Sequence, residues 1–254
     1  MTASLQSSRT TLLTLMHSLL ALKKRAKSTH IALTRVSSQS TGFDPDLSVA
    51  VALVRMPEGH LHTGLIYRAH DGHMRIAHLA FHLLLADCSL PTVDDYCIFP
   101  LNLEAYHQGF LASEIEQLVE DHPHGIPYSV EHEGRMTFTD QLKWTAKEPG
   151  QGLTCSTFVS EVLRLRGYDM LQITTWRERP GDSDFKKKLL EWLSNYIQHA
   201  GLNKDHVAVQ VQRLGSTVRV RPEDVAVGAR LYKGQGPLPF DLVEPPASDV
   251  ANRI

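Results

Sequence analysis

An α+β fold is predicted: an antiparallel sheet packed against a helix that carries a cysteine at its N-terminus. Two observations lead there. Between Val49 and His82, β-branched and apolar residues recur in three short runs separated by Pro57-Glu58-Gly59 and by Asp71-Gly72, which is the pattern of a strand meander with turn chemistry between strands. From Cys155 onward, Phe158, Val159, Val162 and Leu163 recur at helical spacing, while Ser156, Ser160, Glu161 and Arg164 fill the other face. Gly167 then supplies the stop.

Taken in order, the chain opens with an apolar run, Thr11 to Leu22, followed by Lys23-Lys24-Arg25. The run is too short to span a bilayer, and its basic cluster lies on the wrong side for a signal peptide. An amphipathic helix is expected, able to dock on the rest of the chain or on a partner, and Ser37 to Thr41 reads as a linker. Val49 to Arg55, His60 to Arg68 and Met74 to His82 are the three strands. Leu101 to Val119 is helix-like, and residues 121–152 are rich in loop residues of the kind that shape a substrate groove. A helix is expected from Phe185 to Ala200 on Leu189, Leu190, Leu193 and Ile197. Strands are expected around Val207 and Val218, then a short helix starting near Pro222. The tail from Gly234 carries Pro237, Pro239, Pro245 and Pro246 and reads as extended and partly disordered. The expected organisation is therefore residues 1–42 as helix and linker, 43–233 as the main domain, and 234–254 as a proline-rich tail.

The chain has 254 residues, 42% of them hydrophobic, enough for one large core with accessories. A net charge of −2 makes no electrostatic case for nucleic acid or an anionic membrane as partner. Three cysteines, an odd number, argue against a disulfide framework and for a reducing compartment. No transmembrane span is expected. The expected location is cytoplasmic, with delivery by a dedicated secretion machine left open.

Cys155 concentrates the chemistry. A thiol in the first turn of a helix feels the positive end of the macrodipole and unpaired amides, which lower its pKa and steady a developing oxyanion. The bland alternative is a small core hydrophobe. A nucleophile needs a base, and His62, on the second strand, is the candidate. A hairpin loop of five residues, Ala69 to His73, would bring His78 to the same face diagonal to His62, whereas a two-residue loop would send it to the opposite face. His206, at the head of an alternating run, could serve instead, but it lacks a following Gly and a second histidine on its neighbour. The longer loop also places His60 and His82 beside His62 and His78, so a tetrahedral zinc site is an alternative reading of the hairpin. Solvated side chains are the plain reading for His60, His70, His73 and His82.

Cys155-Ser156-Thr157-Phe158-Val159 followed by an apolar helix and Gly resembles the nucleophile motif of NlpC-type peptidases, the bacterial branch of the papain-like cysteine hydrolases. His62-Thr63-Gly64-Leu65-Ile66-Tyr67 with His78 is similar to that group's base strand and its third polar residue, and Gly125-Ile126-Pro127-Tyr128 to an element that precedes the nucleophile. Here the histidines come before the cysteine, and Thr154 stands where an acidic residue often precedes it. That order resembles the circularly permuted families, among them permuted bacterial amidases and lecithin:retinol acyltransferase-like proteins. A triad is defined by geometry, not chain order. The resemblance implies a permuted papain-like fold and a hydrolase, peptidase or amidase, that cleaves an amide, ester or thioester through an acyl-enzyme on Cys155, with His62 as base and His78 orienting it. An acyltransferase of the same fold is the nearest alternative, and a zinc-binding or non-catalytic interaction module the alternative from another class. Tyr128 is expected as a second oxyanion donor or pocket wall and Gln151 as a further substrate contact. No metal or other cofactor is expected.

Overall fold

The structure, a computed structural model, describes residues 31–36, 47–90, 96–130 and 138–254. The expected N-terminal helix and the linker at Ser37 to Thr41 lie outside the described residues. Six strands form one antiparallel sheet: β1 Thr34–Val36, β2 Val49–Arg55, β3 Leu61–Arg68, β4 Met74–Phe81, β5 Leu84–Ser89 and β6 Tyr96–Pro100, in the order β1-β6-β2-β3-β4-β5. The expected meander is β2-β3-β4. Its second hairpin has the longer loop: Arg68 is the last residue paired, opposite Met74, and the Ala69 N–H donates to the His73 carbonyl at 2.9 Å. Gly72 at φ 84° provides the left-handed residue that closes the turn.

Alternation divides the sheet into two faces. Val49, Val51, Leu53, Leu65 and Tyr67 join the main core, while Ala50, Ala52, Val54, Ile66, Ile76 and Ile98 form a smaller cluster on the other face. β2 is therefore buried on both sides, which is why it reads as an unbroken apolar run. Three helices pack against the sheet: α1 Ala105–Asp121 over β2 to β5, α2 Cys155–Leu165 over β3 and β4, and α5 Pro222–Leu231 over β2, β3 and β6. Phe158, Val159, Val162 and Leu163 of α2 are fully enclosed. Truncating Phe158 to Ala in such a setting costs roughly 3–5 kcal/mol.

Four expectations are corrected. The sheet begins inside residues 1–42, because Thr34–Val36 pairs with β6; three residues are too few to show alternation. β5 and β6 were not anticipated: β5 is half-exposed and β6 ends in a proline, so neither alternates over a readable length. The strands expected near Val207 and Val218 are absent. Residues Asp205–Gln212 form helix α4, with His206, Val207 and Gln210 buried at helical spacing and Val211 exposed, while 218–221 is an irregular extended segment. Tertiary burial overrides the β-propensity of Val207, Val209 and Val211. Finally, the tail is a helix, α6 Phe240–Arg253, that packs on α5 through Phe240, Val243, Ala247 and Val250. Pro245 and Pro246 masked it. Falling near the start of the helix, they leave only the carbonyls of Asp241 and Leu242 without their usual donors.

The helix expected at Phe185 begins earlier, as α3 Asp182–Ala200, and the predicted helix start at Pro222 is observed, with that proline as the first residue of α5. No described helix is long and apolar enough to cross a membrane.

Candidate functional site

The start of α2 is held by reciprocal caps. The Thr157 N–H donates to Thr154 Oγ1 at 3.1 Å, and the Thr154 N–H donates to Thr157 Oγ1 at 2.8 Å. Those bonds use the third amide of the helix and leave the amides of Cys155 and Ser156 facing forward. At the other end, Gly167 at φ 85° and the Tyr168 N–H bond to the Leu163 carbonyl close the helix. Cys155 is 6% exposed.

What the sulfur meets follows from strand register. Arg68 N–H donates to the Ser48 carbonyl, so the even-numbered residues of β3 bond toward β2 and the Thr63 amide points toward β4. The β3–β4 ladder ends at Leu65 opposite Ala77, and β4 carries a bulge between Leu79 and Phe81. The Thr63 amide is thus left without a strand partner, and the Cys155 thiol lies where it feels that amide, together with the Ser156 hydroxyl and amide. Burial nevertheless dominates and raises the Cys155 thiol above its ordinary 9.0. The direction is opposite to the lowering expected at a helix N-terminus, because desolvation outweighs the donated hydrogen bonds and the charge of Arg219.

His62 and His78 come together as the longer loop requires. His62 Nε2 lies 2.8 Å from His78 Nδ1, with the rings edge to face at 80°. Gly64, opposite His78 in register, makes this approach feasible: a Cβ there would fall 2.8 Å from His78 Cβ and 3.0 Å from the Ala77 carbonyl. Burial pushes both imidazoles down to about 4. By alternation the two rings lie on the face of the sheet that carries Ile66 and Ile76, whereas α2 packs its apolar residues with Leu65 and Tyr67 on the other face, and His62 Nδ1 is the ring nitrogen left outside the bond to His78. His62 and Cys155 line one cavity of about 320 Å³, and no direct hydrogen bond joins them in this structure.

Tyr128 stands at the same cavity. Its hydroxyl lies within reach of the Cys155 amide and thiol, and burial raises its pKa well above the ordinary 10.0. The Tyr128 backbone is clamped from both sides. Its N–H donates to His82 Nδ1 at 3.1 Å, and its carbonyl faces His206 Nε2 at 2.8 Å and Gln210 Nε2 at 3.3 Å.

His206 is thereby excluded as the base in this arrangement. Its Nδ1 accepts the Gly150 N–H at 3.1 Å, so its Nε2 carries the proton donated to Tyr128. Gln151 does not reach the cavity: its Oε1 accepts the Glu148 N–H and the residue is exposed. His60 and His82 do not join the histidine pair. His60 precedes β3 and packs on Trp192, while the bulge in β4 turns His82 to Tyr128 and His206. Among the described residues, no group of three or more His, Cys, Asp or Glu side chains is arranged to hold a metal ion. Cys88 and Cys97 are free thiols, the first exposed and the second buried.

Two contributors escaped the sequence reading. The Thr63 amide is a backbone group with no residue signature, and Arg219, which lines the cavity, sits in a segment that reads as a strand. No family model, curated protein or solved structure matches this chain.

Proposed function

We propose that the chain is a cysteine hydrolase, a peptidase or amidase of permuted papain-like type, acting on an amide, ester or thioester. One observation carries the reading: a single cavity is lined by a thiol at a helix start, an imidazole already bonded to a second imidazole, and a tyrosine hydroxyl beside the thiol's own amide. The motif resemblance to NlpC-type peptidases supports it from the sequence side.

In the proposed reaction, His62 Nδ1 takes the thiol proton as Cys155 Sγ attacks the carbonyl carbon. The His62 Nε2–H bond to His78 Nδ1 leaves Nδ1 to act as the base nitrogen. The oxyanion is held by the Cys155 N–H and the Tyr128 O–H, each donor being worth roughly 3 kcal/mol. Collapse breaks the bond to the leaving group, which departs with the proton from His62, and leaves a thioester on Cys155. Water, deprotonated by His62, then adds to that thioester and releases the acid and the thiol. Because the thiol rests protonated and the imidazole unprotonated, transfer accompanies attack rather than preceding it.

An acyltransferase has one observation in its favour: Phe81, Val130, Leu189 and Trp192 give the cavity apolar walls that limit water. Hydrolysis measured with and without an added amine acceptor separates the two. The reading as a whole is tested by labelling the intact protein with an electrophilic thiol probe. Cys155→Ala should abolish labelling at that site and His62→Ala should reduce it by roughly 10²-fold or more, whereas His206→Ala should leave a labelled, less stable protein. Labelling that survives His62→Ala unchanged overturns the assignment of the base.

A further inference from the structure

The cavity at Cys155 shares a wall with a second cavity of about 430 Å³, and His60, Phe185, Trp192 and Arg219 stand in that wall together with the carboxylate of Glu58. The second cavity is also lined by Arg55, Lys188 and Arg221, against the carboxylates of Glu58 and Glu223. Arg219 stacks on Phe185 with its guanidinium carbon 3.5 Å from the ring centroid. One carboxylate, Asp182, bonds it at 3.3 Å, and that same Oδ1 takes Arg221 Nε at 2.9 Å. Arg179 adds a further cation against the other oxygen at 3.7 Å, although its stronger partner is Asp224. Asp182 is thus shared, and Arg219 retains donor capacity toward the cavities it lines. Beside it, His60 Nδ1 is buried and has no hydrogen-bond partner among the described residues. A stacked, partly neutralised guanidinium next to an orphaned imidazole nitrogen is a built receptor for an oxyanion.

We propose that Arg219 and His60 bind an oxyanion, carboxylate or phosphate, carried by the substrate, so that the protein selects acyl compounds with an apolar body and an anionic group. The apolar body lies against Phe81, Val130 and Leu189, and the oxyanion sits at the shared wall. The inference deepens the hydrolase reading and rests on it only for the placement of the scissile bond; the anion site stands on its own geometry.

The test is calorimetric titration of the full chain with octanoate, octyl phosphate and the neutral octanamide. Octanoate or octyl phosphate should bind at least about tenfold more tightly than octanamide, as charge-assisted hydrogen bonds require, and the tighter of the two identifies the anion. Arg219→Gln should remove the preference and Arg219→Lys should keep part of it. Equal affinity for the charged and neutral ligands overturns the proposal, as does a preference unchanged in a folded Arg219→Gln protein. Should Arg219→Gln fail to fold, protection of Cys155 from iodoacetamide by octanoate but not by octanamide decides the question on the unaltered chain. An anion preference in a protein whose Cys155 proves inert to thiol probes defeats the hydrolase reading alone; a reactive Cys155 with no preference defeats the anion site alone.

Discussion

At the sulfur of Cys155, burial and electrostatics pull in opposite directions, and burial wins. The amides of Thr63 and Ser156, the Ser156 hydroxyl and Arg219 each favour the thiolate, yet loss of water raises the thiol pKa. Alkylation by iodoacetamide at Cys155 should therefore climb with pH through 9 without a plateau near neutrality; a plateau between pH 5 and 7 would show a preformed thiolate–imidazolium pair instead. His206 offers a second test at this scale. Both of its ring nitrogens are spent on backbone groups, so His206→Ala should destabilise the fold by about 1–3 kcal/mol, the cost of leaving buried partners unpaired. Thiol reactivity at Cys155 should survive at temperatures where the variant stays folded, and denaturant melts beside labelling rates check this. Residue identity marked Cys155, His62 and His78 as candidates in the sequence. It could not separate His62 from His206 by chemistry, since two imidazoles differ only in what surrounds them.

Strand β3 and helix α2 meet beyond the end of the β3–β4 ladder, next to the bulge in β4. Gly64 lets β4 approach closely there. The residue has an ordinary backbone conformation, so its role is space: a methyl group there would collide with His78 and with the Ala77 carbonyl. Gly64→Ala should lengthen or break the His62–His78 bond, and the ring proton of that bond should shift or vanish in a low-temperature proton spectrum while the fold persists. Loss of the reciprocal cap in Thr154→Val should cost about 0.5–2 kcal/mol, seen as a lower melting temperature. Helix α2 was readable because apolar spacing, capping residues and a terminal glycine agree. Helix α4 was not, because its valines favour strands and only contact with Tyr128 and Gly150 settles the matter.

Across the whole molecule, a sheet with helices packed on it keeps several imidazoles uncharged. His62, His78 and His82 sit at about 4 in the folded chain against an ordinary 6.5. Between those values the unfolded chain binds protons that the folded chain refuses, so stability rises with pH across the window and is lost as pH falls from 6.5 toward 4. Each of these partly or fully buried sites contributes at most about 3 kcal/mol, and the bonded His62–His78 pair less than twice that. Melting temperatures at pH 7.5 and 5 should differ by many degrees, and a flat profile would mean that these rings are not held neutral. The antiparallel meander and the cysteine helix were determined by the sequence alone, because periodicity, turn residues and caps act within a few positions of one another. Whether the hairpin loop is long enough to unite His62 with His78, that His206 is spent on backbone groups, that a proline-rich tail folds as a helix on α5, and that Arg219 enters the cavity were decided only by tertiary structure. Burial and the pairing of polar groups depend on residues far apart in the chain, and no local pattern records them.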